Sequence, residues 1–90
     1  MKHFVYLLIT HHKKNLITYV GYTTNIKKRL KLHNSSKGAK FTKGKYWKII
    51  YKKKYNTKKE AMINEYRLKK NKIKRNIIKN NYKFKNSIKL

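Results

Sequence analysis

Arg29 and His33 lie four residues apart in the stretch Thr18–His33. On a helix that spacing puts both side chains on one face, a turn apart. Just upstream, Tyr19 and Gly21 belong to a β-branched and aromatic run that suits a strand. One tyrosine, one glycine, one arginine and one histidine therefore converge. A guanidinium fork binds phosphate bidentately and can neutralise the charge that grows in a phosphoryl transition state. A histidine, with an unperturbed pKa of about 6.5, is tuned to act as a base near neutral pH. The bland alternatives are a solvated helix arginine and a histidine favoured by a helix C-terminal dipole.

The chain has only two carboxylates, Glu60 and Glu65. Glu60 closes the sequence Thr57-Lys58-Lys59-Glu60, a capping box in which the glutamate reaches back to the first amide of a helix. Glu65 has no such duty. It falls four residues after Ala61 and three before Leu68, on a stripe facing inward or lying at its margin. Its ordinary explanation is an ion pair with Lys69, which stabilises a helix by only about 0.3–0.5 kcal/mol. A lone carboxylate in a cleft of bases also suits a magnesium ion that keeps most of its waters and binds substrate phosphate.

Net charge is +25, from 27 lysines and arginines. Biased codon usage would enrich Lys, Asn and Ile together, but it does not account for the scarcity of glutamate. So large a positive field concentrates phosphate and gives salt-dependent affinity for polyanions, so the expected partner is nucleic acid. Without cysteine there is neither a disulfide framework nor a thiolate zinc site. His11 and His12 are adjacent in an expected turn and no His-x-x-x-His pair occurs, which argues against a histidine metal centre. The apolar run Phe4–Ile9 is too short to span a membrane and lacks a cleavage site, so no membrane association and a cytoplasmic location are expected.

The elements that must position these groups follow from pattern. Residues 3–10 read as a buried strand centred on Tyr6, 11–15 as a polar hairpin connection, and 16–22 as its antiparallel return. A first helix is expected from about Asn25 to Asn34, capped by Thr23-Thr24-Asn25. Residues 35–44 carry two of the three glycines with Lys37, Lys40 and Lys43, and read as a flexible basic loop. Residues 47–55 read as a third strand at a sheet edge blunted by lysine. A second helix runs to about Lys70 and a third from Lys72 to Lys79, and residues 80–90 can dock, extend that helix or stay loose. This describes one small α/β (α+β) domain over residues 1–80, a three-stranded antiparallel sheet flanked by helices, with a basic tail over 81–90.

Val5-Tyr6-Leu7, then Tyr19-Val20-Gly21, then Arg29 ten residues after Tyr19, resembles the GIY-YIG nuclease domain. The likeness continues through His33-Asn34, Lys37-Gly38-Ala39-Lys40, Thr42, Trp47, Glu60-Ala61 and Glu65-Tyr66-Arg67-Leu68-Lys69, and is strongest to short standalone bacterial members. On pattern alone Tyr6 and Tyr19 read as core aromatics on neighbouring strands. The resemblance instead assigns them to an active site, one near the attacking water and one holding phosphate or water, with Arg29 catalytic and Glu65 on the metal. It leaves the general base open between Tyr6, Tyr19 and His33. Gly21 lets the strand approach the site without a Cβ, and Lys37, Lys40 and Lys43 are the expected nucleic-acid contacts. Two departures stand out: Phe4 occupies the place of the family's first glycine, and Tyr22 a place where some repair nucleases carry lysine.

The function these features imply is a metal-dependent endonuclease using a single Mg2+ or Mn2+ ion, acting on DNA in preference to RNA, in repair or processing of irregular structures. The carboxylates are too few for a two-metal site. No clear specificity domain follows residue 70, which leaves the substrate open, and a protein partner could supply target choice. The rival is a basic nucleic-acid-binding module on the same fold without catalysis; a ribosomal-type RNA-binding protein is a second.

Overall fold

The computed structural model describes residues 2–86; the expected tail is therefore seen only in part, and residues 87–90, Ile88 among them, lie outside the described residues. Strands β1 (His3–His12), β2 (Asn15–Thr23) and β3 (Lys48–Tyr55) form an antiparallel sheet in the order β2-β1-β3. Helices α1 (Ile26–Asn34), α2 (Lys58–Lys70) and α3 (Lys72–Lys85) surround it, and one 3₁₀ turn spans Lys40–Thr42. This is the α+β architecture expected, with β3 at an edge and Lys52–Lys54 exposed along it.

β1 is the central strand and is covered on both faces, so Val5–Thr10 are all buried and its sequence is continuously apolar rather than alternating. On one face Val5, Leu7 and Val20 pack under α2 through Ala61 and Leu68, with Ile78 of α3 against the margin. On the other, Tyr6, Leu8 and Trp47 pack with Tyr19, Ile26 and Leu30 beneath α1. Between Leu7 and Leu8 the β3 register slips, leaving Ile50 as an extra residue in a bulge.

The hairpin is tighter than expected. His11 and His12 continue β1, His12 pairs with Asn15, and only Lys13-Lys14 turn, with Lys13 at φ 56°. The loop expected to be flexible is pinned. Thr42 and Trp47 are fully buried, Trp47 Nε1 donates to the Thr42 carbonyl (3.0 Å), and the Asn34 side chain accepts from Trp47 N (2.6 Å) and donates to its carbonyl (3.1 Å). Asn25 caps α1 by accepting from Lys28 N (3.1 Å). Thr57 caps α2, accepting from Glu60 N, while the Glu60 carboxylate accepts from the Thr57 hydroxyl (both 3.1 Å) rather than from its amide. Asn71 ends α2 and caps α3 at once, and α3 extends through the first tail residues to Lys85.

Candidate active site

The pairing of β1 with β2 sets Tyr6 opposite Gly21, and both face α1. A Cβ on residue 21 would collide with the Tyr6 hydroxyl, so the glycine is what lets the phenol lie across β2. The phenol reaches His33, one turn beyond Arg29 on α1: Tyr6 Oη and His33 Nε2 are 2.9 Å apart and buried. The opposite nitrogen, His33 Nδ1, lies 2.8 Å from Thr42 Oγ1. Gly38 clears the space beside this ring, since a Cβ there would collide with His33 Nδ1.

The direction of the proton chain follows from the hydroxyl that ends it. Thr42 Oγ1 has one hydrogen, and it goes to the Ala39 carbonyl (2.9 Å), while the same oxygen accepts from Ala39 N (3.2 Å). Thr42 must then accept from His33, which places the imidazole hydrogen on Nδ1. Nε2 is left as the acceptor, so Tyr6 donates to it. The Tyr6 hydroxyl is thereby held on a base of fixed tautomer.

Burial sets the resting protonation of both partners. It pushes the Tyr6 phenol above its ordinary 10.0, with the Arg29 guanidinium pulling it partly back and the Tyr19 and Glu65 charges adding to the rise. It also pushes His33 below its ordinary 6.5, helped by the positive charge of Arg29. The resting pair is neutral phenol and neutral imidazole. Arg29 itself is half-buried, and its Nε is the one buried side-chain nitrogen or oxygen among the described residues with no hydrogen-bond partner. An orphaned guanidinium donor beside a phenol is suited to an anion.

Tyr19 enters from β2, its ring edge-on to His33 (centroids 5.3 Å) and stacked on the half-exposed Phe41 (6.1 Å). Glu65 comes from α2, on the other face of the sheet, at the free edge of β2. Lys69 of the same helix lines a cavity of ≈ 280 Å³ there with Thr18, Tyr19, Val20, Phe41 and Arg75. Glu65 is mostly buried (side chain 18% exposed), and one of its oxygens lies 3.5 Å from Lys69 Nζ, the helical pair expected for an ordinary glutamate. Its charge nevertheless bears on Tyr6. The donor set tests a metal directly. No cluster of three His, Cys, Asp or Glu exists among the described residues, which excludes a protein-built cage. One mostly buried carboxylate whose charge reaches Tyr6 does fit a hydrated magnesium or manganese ion that takes its remaining ligands from water and phosphate.

Tyr6, Tyr19, Gly21, Arg29 and His33 are thus assembled around α1 and β2, with Glu65 at the margin. Lys37, Lys40 and Lys43 are exposed on the loop that carries Thr42. Tyr22 is not part of the cluster: it pairs opposite Val5, faces α2, and its hydroxyl meets His3 Nδ1 (2.8 Å), so its place offers no charge to a phosphate held by Arg29. Gly38 and Thr42 are the members that sequence reasoning left without a role. Their place among the residues that carry the family likeness, Lys37-Gly38-Ala39-Lys40 and Thr42, was the available signal.

The family model of the GIY-YIG catalytic domain matches residues 2–83. The chain belongs to the GIY-YIG family. Among its relatives, a UPF0213 protein of Oceanobacillus iheyensis is 41% identical over 68 residues, covering 74% of this chain and 76% of that one. A UPF0213 protein of Staphylococcus haemolyticus is 44% identical over 68 residues, covering 74% and 79%. One from Bacillus licheniformis is 53% identical over 49 residues, covering 53% and 50%. No solved structure matches the chain significantly. GIY-YIG membership makes this a domain of a nuclease family, and no helix among the described residues is long and apolar enough to cross a membrane.

Proposed function

We propose that the chain is a single-metal endonuclease that hydrolyses phosphodiester bonds, in DNA rather than RNA, with its water activated through Tyr6 and His33. The observation that carries this reading is the Tyr6–His33–Thr42 chain lying beside an arginine with an unpartnered buried donor. A water hydrogen-bonded to Tyr6 Oη loses a proton to that oxygen as the phenol passes its own to His33 Nε2. The oxygen of the water bonds to phosphorus, and the bond to the leaving oxygen breaks. His33 becomes the imidazolium, still donating from Nδ1 to Thr42, and returns the proton to solvent after release.

Arg29 binds a non-bridging phosphate oxygen and stabilises the charge that grows there. Tyr19 positions the phosphate, and Lys37, Lys40 and Lys43 hold the flanking backbone. Glu65 would hold the magnesium or manganese ion, which would supply Lewis-acid polarisation of the phosphate and counter-charge for the departing oxygen. What supports this order of base and relay is that His33 Nε2 is occupied by Tyr6, which leaves the phenol as the group facing water.

The test is incubation of purified protein with labelled single-stranded, duplex and branched DNA and RNA, with magnesium, manganese or EDTA, alongside Glu65→Gln and Arg29→Ala. Metal-dependent cutting lost in both variants with binding kept supports the reading and names the substrate. Tight binding without cutting on any substrate supports the non-catalytic module, in which Glu65–Lys69 is an ordinary helix pair.

A further inference from the structure

At the hairpin end of β1 lies a second concavity, of ≈ 450 Å³, whose walls include His11, His12, Lys45, Tyr46, Lys48 and Tyr82. None of these residues takes part in the Tyr6–His33 cluster. The cleft is cationic and aromatic together. Tyr46 leaves 69% of its surface exposed, which places an uncovered ring among lysines and histidines. A purely structural tyrosine would be covered, and a merely solvating surface would carry the lysines without the ring.

The cleft is also tied to the candidate active site by one short loop. That loop leaves Thr42, the acceptor of His33, and reaches Tyr46, whose carbonyl accepts from the Thr10 hydroxyl (2.6 Å) on β1. Between them Lys45 Nζ stands over the ring of Phe41 (5.6 Å), which is stacked on Tyr19. Phe41 and Lys45 therefore stand between Tyr19 and the cleft. Tyr6 and His11 are five strand residues apart, on the order of 17 Å at the rise of a β-strand. At about 3.4 Å per nucleotide of a stacked strand, that span is about five nucleotides.

We propose that this cleft is a second nucleic-acid site, taking the strand about five nucleotides from the phosphate bound at Arg29, with a base stacked on Tyr46 and its phosphates on Lys45 and Lys48. The inference rests on the nucleic-acid reading of the Arg29 site but does not require that the strand be cut. Stacking on an aromatic ring with backbone contacts from lysine is tolerant of sequence, so the cleft extends affinity rather than selecting a target.

Fluorescence anisotropy in EDTA, with labelled strands of 4, 8, 12 and 16 nucleotides (roughly one site, then both, by the strand rise above), tests this without cleavage. Wild-type affinity is expected to step up by about tenfold between the shortest strand and those long enough to reach both sites. Tyr46→Ala with Lys48→Gln should remove that step and leave the shortest strand bound as before. The salt slope on long strands should fall by about 0.7–0.9 for the lost Lys48 contact. Adenosine monophosphate at millimolar concentration should not displace a long strand. No step with length, an equal loss on short and long strands, or displacement by the mononucleotide would each overturn the proposal. A strand that binds with the step yet is never cut would overturn the nuclease reading alone.

Discussion

Thr42→Val removes one oxygen and adds one methyl in a fully buried position, so its effect isolates the hydrogen bonds of that hydroxyl. Three groups lose their partners: the buried His33 Nδ1–H and the part-buried Ala39 N–H, which donated to it, and the part-buried Ala39 carbonyl, which accepted from it. Each unsatisfied buried group costs about 1–3 kcal/mol. Allowing for relaxation, the sum is about 2–4 kcal/mol, a fall in Tm of about 10–30 °C for a domain of this size. Thr42→Ser keeps the hydroxyl and loses one methyl, which costs about 0.8 kcal/mol by transfer alone. Urea unfolding followed by circular dichroism should place serine near wild type and valine far below, with an unchanged m-value. The valine variant should also cut at least tenfold more slowly while folded, because nothing then holds the imidazole hydrogen on Nδ1. Equal stability of the valine and serine variants would refute the hydrogen bonds assigned to this hydroxyl, and with them the tautomer argued from it.

Gly38→Ala and Gly21→Ala should each destabilise by about 1–3 kcal/mol through forced displacement of His33 and Tyr6 respectively, and calorimetry of the two variants checks this. His33 is buried with its pKa below 6.5, so the unfolded chain binds the extra proton first. Stability is therefore full above about pH 6.5 and falls as pH drops through that value, by at most about 1.4 kcal/mol per unit, until the folded pKa is reached. Denaturant midpoints between pH 7 and pH 5 measure the slope, and the acid limb of the cutting rate should lie at lower pH than the onset of that loss, where the folded His33 takes up its proton. Lys13 holds φ 56°, so Lys13→Gly should stabilise the hairpin by about 0.5–1 kcal/mol, read from Tm.

Much of the fold was legible because its elements are carried by local pattern. The apolar run of β1, the aromatic and β-branched run of β2, and the Asn25 cap each fix an element without tertiary help. The hairpin was misjudged because His11 and His12 are exposed and polar, and an exposed strand end carries no alternation to read. The last turns of α3 were left open between three alternatives because Asn80 and Asn81 are poor helix formers; they are held in a helix anchored by Ile78 against the sheet. Arg29 and His33 were visible as a helical pair. The role of Thr42 was not, since nothing in residue type says that a threonine nine positions away will turn back onto the imidazole. Glu65 shows both of its expected faces, an ion pair with Lys69 and a charge felt by Tyr6.

Tyr6→Phe tests the central claim most directly, because it keeps the ring in its packing and removes only the oxygen between water and His33. Single-turnover cleavage of the best substrate with magnesium, beside binding of the same substrate in EDTA, should show a loss of at least a hundredfold in rate with affinity within about twofold, in line with the contribution of a positioned proton-transfer group. A Tyr6→Phe variant that cuts as fast as the wild type would contradict the account.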